Sequence, residues 1–380
     1  IVLSELEGAK FYGPESELAL TETGIDASYD GFGFTFHRAK FDDWLHERAA
    51  DAGADLRVGV SVTGVETDLS ASPRHAVRLA DGEDIETDYV ILADGPQRTV
   101  TGPTLDQFLP DGRTMSERMP SNTVNHIAYQ EHRRMPEELF DPDFIEFWWG
   151  MMPGHTAYPW IFPNDESVAR IGLTMPIGLD IGDYDTTQWD LLAADDEGIP
   201  RGTEYIERLL ERQFPDYDLA DFPLVEDRGK AKGTETYPIS STRPIESPVG
   251  AGIAVTGGAM GSTSAFHEGG DHVAVRTGKI AGRLAAEDSL ERYNSEWHAA
   301  IGDEVLRNVT FADMVRDWGP RDWDRAFTTA SDLMDARGIK ADAALRGGWH
   351  GLQLVATYKW GKFGYRDGRY VQLRERDYTV

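Results

Sequence analysis

The feature that most constrains this chain is an apolar strand that runs straight into glycine. Ile253-Ala254-Val255-Thr256 leads into Gly257-Gly258-Ala259-Met260-Gly261, the loop continues from Ser262 through Glu268 to Gly269 and Gly270, and a helix-like stretch opens at Asp271. A strand that ends in glycine and feeds a helix N-terminus lets backbone N–H groups approach phosphate or ribityl oxygens, with the helix dipole favouring negative charge. Glycine supplies the tight turns and removes the side chain that would block the approach. A plain structural turn reads the same way from spacing alone, and both readings stay open at this point. In either case the unit belongs to an α/β layer.

Upstream, the first 35 residues read as hairpins or loops. Arg38 to Ala52 places Phe41, Trp44, Leu45 and Ala49 at helical spacing, with Gly53 at the C-terminal cap. Leu56 to Val65 alternates as a strand, and Ala76 to Leu79 with Ile85 to Leu92 read as strands about the turn Asp81-Gly82. From about 120 to 250 the character changes. Thr123 to Tyr129, Phe144 to Trp149, Ala157 to Phe162 and Ala169 to Met175 read as an antiparallel sheet, and Gly202 to Phe214 as an amphipathic helix. Asp271 to Glu287 and Ser289 to Trp318 are helical. The predicted organisation is a mixed α/β chain in three parts. A discontinuous nucleotide-binding domain takes 1–119 and 250–320, an antiparallel-sheet substrate domain takes 120–249, and 321–380 is a helical, aromatic and basic C-terminal segment.

The net charge of −29, from 66 acidic residues against 8 Lys and 29 Arg, has the balance of a halophilic protein. Such a surface speaks to solubility and habitat, and it disfavours nucleic-acid binding, which needs a basic footprint. An acidic face for a basic partner is the competing reading. The absence of cysteine rules out disulfides, thiolate metal sites and a cysteine nucleophile in this stretch, and no metal site is expected. With no apolar run of membrane-spanning length, a cytoplasmic location is the expectation. The tail reverses the charge locally. Lys359, Lys362, Arg366, Arg369, Arg374 and Arg376 are interleaved with Tyr358, Trp360, Phe363, Tyr365 and Tyr370, a mixture suited to peripheral contact with an anionic membrane or to a core hairpin with neutralising charges.

Three further segments carry candidate chemistry. Tyr89 to Leu92 leads into Ala93-Asp94-Gly95 and then Arg98-Thr99-Val100, which sets an acid at the carboxyl end of a strand, where α/β folds bind ligands. Read alone, Asp94-Gly95 is a turn. Arg38 stands at a helix start, where a cation opposes the dipole, so either another group needs it there or it pairs with Asp42 four residues on. Tyr158-Pro159-Trp160-Ile161-Phe162-Pro163, followed by Ile171-Gly172-Leu173, is an aromatic strand ending at proline.

In this order the segments resemble the geranylgeranyl reductases, FAD-dependent oxidoreductases of the para-hydroxybenzoate hydroxylase-like fold group. Arg38 with Phe41-Asp42 and Trp44-Leu45 is similar to their R-x-x-F-D-x-W-L, Ala93-Asp94-Gly95 through Val100 to A-D-G-x-x-S-x-V, and Gly257 to Gly270 to G-D-A-A-G and its following glycines. Tyr158 to Phe162 with Gly172 is similar to the reductases' Y-x-W-x-F-P and G-L. The resemblance implies a Rossmann-like FAD-binding domain. Arg38 would lie against the nucleotide part, Ala93, Asp94 and Gly95 beside the flavin, and Gly257, Gly258, Gly261, Gly269 and Gly270 along the ribityl chain and pyrophosphate. Tyr158, Trp160 and Phe162 would line an apolar tunnel for a polyprenyl chain.

The implied reaction is reduction of carbon–carbon double bonds in geranylgeranyl chains of archaeal-type lipids or their precursors. The electron donor, NAD(P)H or ferredoxin, is undetermined, and the resemblance assigns no catalytic residue here. A monooxygenase, an electron-transfer flavoprotein dehydrogenase or a truncated lipid-binding chain are the alternatives; the dehydrogenase would normally bring four iron–sulfur cysteines. The family's opening G-x-G-x-x-G is absent from this sequence and is expected upstream of Ile1. Gly258 stands where the family has Asp, Met260 for its second Ala, Ala265 for a Pro, and Glu268 for a Gly. Asp271 is expected to cap its helix or to supply a neighbouring carboxylate.

Overall fold

The computed structural model describes residues 1–22, 29–119, 126–335 and 348–380. Strands are β1 (Val2–Leu6), β2 (Gly8–Tyr12), β3 (Glu17–Leu20), β4 (Gly33–Phe36), β5 (Val62–Thr67), β6 (His75–Leu79), β7 (Asp84–Thr87), β8 (Val90–Leu92), β9 (His126–Arg134), β10 (Phe144–Trp148), β11 (Tyr158–Pro163), β12 (Val168–Pro176), β13 (Thr234–Ile239) and β14 (Ile253–Val255). The main helices are α1 (Arg38–Asp51), α2 (Thr101–Asp106), α3 (Gly202–Gln213), α4 (Asp271–Ala286), α5 (Tyr293–Met314), α6 (Pro320–Asp335) and α7 (Gly348–Gly364).

The largest sheet has the order β13-β9-β12-β11-β10-β2-β3. It is antiparallel except between β10 and β2, which run parallel with Phe144 opposite Gly8. Period-2 alternation gives it two different faces. Ala169, Ile171 and Leu173 of β12 point to one side and pack with Ile161 against α3, whose Tyr205, Ile206, Leu209 and Leu210 are fully buried. Burial of side chains of this size contributes roughly 1.5–3 kcal/mol each, which is what docks the helix. The opposite face carries Tyr158, Trp160 and Phe162 with Phe11, Phe147 and Ala128, and it packs against Trp323 and Phe327 of α6.

A second core surrounds the short parallel pair β14–β8, with Ile253 opposite Val90 and Val255 opposite Leu92. All three β14 residues are buried, as expected of a parallel strand covered on both faces. Helices α4 and α5 close over it, and Trp297 and Tyr293 are fully buried there. The remaining strands form the antiparallel sheet β5-β6-β7 and the pair β1-β4.

The helix read over Arg38 to Ala52 is α1, with Gly53 left-handed after it (φ 95°). The alternation from Leu56 to Val65 becomes a strand only from Val62, because β6 supplies partners only from that point; Val58 is 82% exposed. The run Ile85 to Leu92 is two strands in two sheets. The break falls at Asp88 and Tyr89, where the Thr87 Oγ1 bonds to the carbonyl and amide of Tyr89. Of the strand expected over Thr123 to Tyr129, residues 123–125 lie outside the described residues, and the rest opens β9. Within the first 35 residues β2 and β3 form a hairpin that extends the large sheet past β10, while β1 pairs with β4.

Candidate functional site

The Gly-rich segment follows the strand-to-helix route that its sequence indicates. Thr256 leads from β14 into a single helical turn over Gly257–Met260, which ends at Gly261 in the left-handed region (φ 76°). Gly257 is also left-handed (φ 55°), and its amide donates to Thr277 Oγ1 on α4 at 3.1 Å. Beneath the turn, Tyr293 donates to the Val255 carbonyl at 2.8 Å. Burial raises the pKa of this phenol, so it stays a neutral donor.

Asp94 and Gly95 lie beside that turn. The Asp94 carboxylate accepts from the Val100 amide at 2.7 Å, the Thr101 amide at 3.0 Å and the Thr101 hydroxyl. It therefore holds the N-terminus of α2 and fixes the course of Ala93 to Thr101. A Cβ on Gly258 would stand 3.3 Å from Pro96 Cδ and 3.6 Å from Gly95 Cα. The glycine at 258 and the Gly95-Pro96 turn are thus mutually fitted, which is a steric reason for this departure from the family's Asp. At Gly95 (φ 81°) the corresponding Cβ direction is open space.

The two loops are joined by Arg98, a residue whose weight the sequence reading missed. Its guanidinium donates to Ala259 O at 2.8 Å, Pro96 O at 2.8 Å, Gly258 O at 3.2 Å and the Ser240 hydroxyl. Burial lowers its pKa to about 10, with the Asp94 carboxylate acting in the opposite direction. Arg98 also sits at φ 52°, unusual for a residue with a Cβ. Its only signal in the sequence was an arginine three residues after Asp-Gly.

Arg38 is half exposed. It pairs with Asp42 at 2.8 Å and with Asp271 at 2.9 Å, so both the local pairing and a second carboxylate are present. Asp271 does not cap α4. Gly270 occupies the cap position, and Asp271, the first helical residue, turns to Arg38. The ion pair brings α1 to the helix start just after Gly269 and Gly270.

Tyr158, Trp160 and Phe162 share one face of β11; Tyr158 is tilted against Trp160, and Trp160 stacks on Phe162 with centroids 5.4 Å apart. Trp160 lies across Gly172, where a Cβ would stand 2.6 Å from its ring. Trp149 stacks on Tyr158 at 4.3 Å and on Phe266 of the Gly-rich loop at 5.2 Å. The Tyr158 hydroxyl donates to the His267 carbonyl at 2.5 Å. The aromatic wall and the Gly-rich loop therefore meet directly.

Glu268, at the family's glycine position, is buried at this junction and left-handed (φ 58°). Its Oε1 accepts from Thr156 at 2.8 Å and lies 3.7 Å from His126 Nε2, while His126 Nδ1 is 2.7 Å from Ser241 Oγ. Oε2 has no partner. Burial raises the pKa of this carboxyl, against the lowering effect of His126 and the two hydroxyls. Among the described residues no cluster of metal-ligating side chains occurs.

An open approach at Gly95, glycines leading to the N-terminus of the 16-residue helix α4, and an unsatisfied buried carboxyl at the junction suit a dinucleotide flavin lying along the Gly-rich loop.

No family model matches the chain. It is 25% identical over 320 residues to a digeranylgeranylglycerophospholipid reductase of Methanothrix thermoacetophila, covering 81% of this chain and 70% of that protein. To digeranylgeranylglycerophospholipid reductase 2 of Methanothermobacter thermautotrophicus it is 25% identical over 339 residues, covering 84% and 74%. Among solved structures, a geranylgeranyl bacteriochlorophyll reductase-like protein of Thermoplasma acidophilum superposes with a TM-score of 0.67 at 20% identity, covering 96% of this chain and 83% of that one. Klebsiella pneumoniae HpxO, complexed with FAD and uric acid, superposes with a TM-score of 0.53 at 15% identity, covering 91% and 82%. The resemblance read from the motifs holds: the chain is similar in sequence to the digeranylgeranylglycerophospholipid reductases and has the fold of the FAD-dependent oxidoreductases.

Proposed function

We propose that this relative of the geranylgeranyl reductases is an FAD-dependent oxidoreductase that reduces isolated carbon–carbon double bonds in geranylgeranyl chains of membrane lipids or their precursors. The observation that carries the reading is the direct junction of the aromatic wall with the Gly-rich loop, through Tyr158 and the His267 carbonyl.

When bound, FAD supplies the hydride equivalent for the alkene. The residues around it do the rest. Gly257, Gly258, Gly261, Gly269 and Gly270 let the backbone approach the cofactor, Asp94 and Arg98 hold the Ala93-Asp94-Gly95 loop in place, and Arg38 fixes α1 against the start of α4. Tyr158, Trp160 and Phe162 offer an apolar surface that orients the prenyl chain and excludes water. Among the described residues no helix is long and apolar enough to cross a membrane. Collection of the lipid is assigned to peripheral contact through the end of α7, where Trp360 (79% exposed) and Phe363 lie beside Lys359, Lys362 and Arg366.

The test is a turnover experiment on the FAD-loaded protein. After anaerobic photoreduction, addition of a digeranylgeranyl phospholipid should reoxidise the flavin, and mass spectrometry should find one H2 added per double bond reduced. A protein that takes up no FAD, or whose reduced flavin is indifferent to the lipid, would refute the proposal.

A further inference from the structure

Most arginines near the large sheet have carboxylate partners: Arg133 with Glu131 at 2.6 Å, Arg208 with Asp196 at 2.7 Å, and Arg228 with Asp165. Arg170 does not. It lies in β12, opposite His132 of β9 and Phe162 of β11. Its neighbours Ala169 and Ile171 point into the core beneath α3, so alternation places Arg170 on the aromatic face, with Gly172 and the overlying Trp160.

Among the described residues no guanidinium N–H of Arg170 makes a hydrogen bond, its Nε is buried without a partner, and no carboxylate oxygen comes within 4.0 Å. In a chain with 66 acidic residues, that lack is not explained by a shortage of acids. Arg170 is partly buried, and the Glu235 and Asp271 carboxylates reach it only through space; a half-buried guanidinium without a direct partner is costly, and such groups concentrate where a ligand supplies the missing contact.

The surroundings define that ligand. Glu235 of β13 accepts from Gln130 and lies 3.7 Å from His132 Nε2; burial pushes its pKa up, but the neighbouring His132, Tyr237 and Gln130 outweigh this and hold it down at about 2, so it accepts no proton near neutrality. Both ring nitrogens of His132 are buried without a hydrogen bond. Tyr237 of β13, Arg38 of α1 and Asp271 of α4 complete the polar surroundings. On the other side, Phe162 stacks on Trp160 and continues into the aromatic wall. A forked cationic donor at the margin of an apolar wall matches an amphiphile with an anionic head and a hydrocarbon tail, and the guanidinium fork matches phosphate oxygens.

We propose that Arg170, with His132 beside it, forms an anion subsite that takes the phosphate of a phosphorylated prenyl lipid whose chain lies along Phe162 and Trp160. The assignment builds on the lipid reading above, but its test measures binding and needs no turnover.

The experiment titrates the FAD-loaded full chain with geranylgeranyl diphosphate and with geranylgeraniol in the same detergent, for the wild type, Arg170→Gln and Arg170→Lys. Hydrogen bonds to charged groups are worth about 1.5–3 kcal/mol. Arg170→Gln should therefore weaken the diphosphate ligand by roughly tenfold to a hundredfold and leave the alcohol within about threefold, with Arg170→Lys between. Inorganic phosphate should compete with the diphosphate on the wild type. Equal losses for both ligands, or no loss for either, would overturn the subsite. So would a loss confined to FAD, which would assign the guanidinium to the dinucleotide's own diphosphate. Thermal melts of both variants separate these outcomes from misfolding. If the lipid is bound in an Arg170-dependent way but never reduced, the subsite stands and the proposed reaction fails.

Discussion

Replacing Arg98 by Met tests whether the two loops of the candidate site are one unit. Met matches the aliphatic stem and leaves the buried volume nearly filled, so the perturbation is the loss of the guanidinium. Three carbonyls, Pro96, Gly258 and Ala259, and the Ser240 hydroxyl then lose their donor in a site that is 7% exposed at Arg98. Each buried acceptor left without a partner costs about 1–3 kcal/mol, while relief of burying the charge returns part of the sum. The net expectation is a loss of about 3–5 kcal/mol, the range for breaking a buried charged network. Urea denaturation followed by fluorescence and circular dichroism measures it, with the FAD dissociation constant read in parallel. FAD affinity should fall together with stability, because the Ala93-Asp94-Gly95 loop loses its tie to Gly258 and Ala259. A stability change below about 1 kcal/mol, or a destabilised variant with unaltered FAD affinity, would refute the account of Arg98 as the tie between the loops.

Three further outcomes follow from the same geometry. Gly172→Ala would place a Cβ 2.6 Å from Trp160 Cζ2 and 2.7 Å from Gln130 Cβ; a loss of about 1–3 kcal/mol is expected, with a changed near-UV dichroism, and an unchanged spectrum would contradict the overlay of Trp160 on β12. Glu268 has a folded-state pKa raised by burial, so the stability it contributes is full below the carboxyl's unfolded pKa and declines as pH rises through the folded value. Glu268→Gln should flatten that decline in pH-dependent denaturation midpoints, whereas parallel curves for the two proteins would exclude a titrating Glu268. Trp360→Ser with Phe363→Ser should abolish co-sedimentation with phosphatidylglycerol vesicles at low salt, and undiminished binding would remove α7 from the membrane contact.

The sequence made the strand-glycine-helix unit legible because its constraint is local: only glycine reaches φ 55° and 76° so readily, and β14 is short and wholly apolar. The strands of the large sheet were legible for a similar reason, alternation at 157–162 and 169–175. What stayed hidden depends on partners distant in the chain. Val58 and Val60 alternate as well as Val62 but have no strand opposite them. Asp271 reads as a cap until Arg38, 233 residues away, is found beside it. Arg98, Arg170 and Glu268 are ordinary polar letters in sequence; their weight comes from burial at Arg98 and Glu268 and from the lack of a direct partner at Arg170, which only the fold decides. Gly258 reads as a lesion in the family motif and becomes a fitted contact once Pro96 is set against it.

The parallel pairing of β2 with β10 has a consequence for how the molecule assembles. More than 130 residues of chain must be brought round before Gly8 meets Phe144, so the sheet gains its last two strands through one of the longest loop closures in the protein. A fragment spanning 126–239 alone would expose the β10 edge, with Phe144, Ile145 and Phe147 along it, as a template for pairing with other chains. The large sheet therefore draws its strands from residues 8–20 as well as from 126–239, and a unit that keeps it whole when expressed, excised or exchanged must carry both stretches.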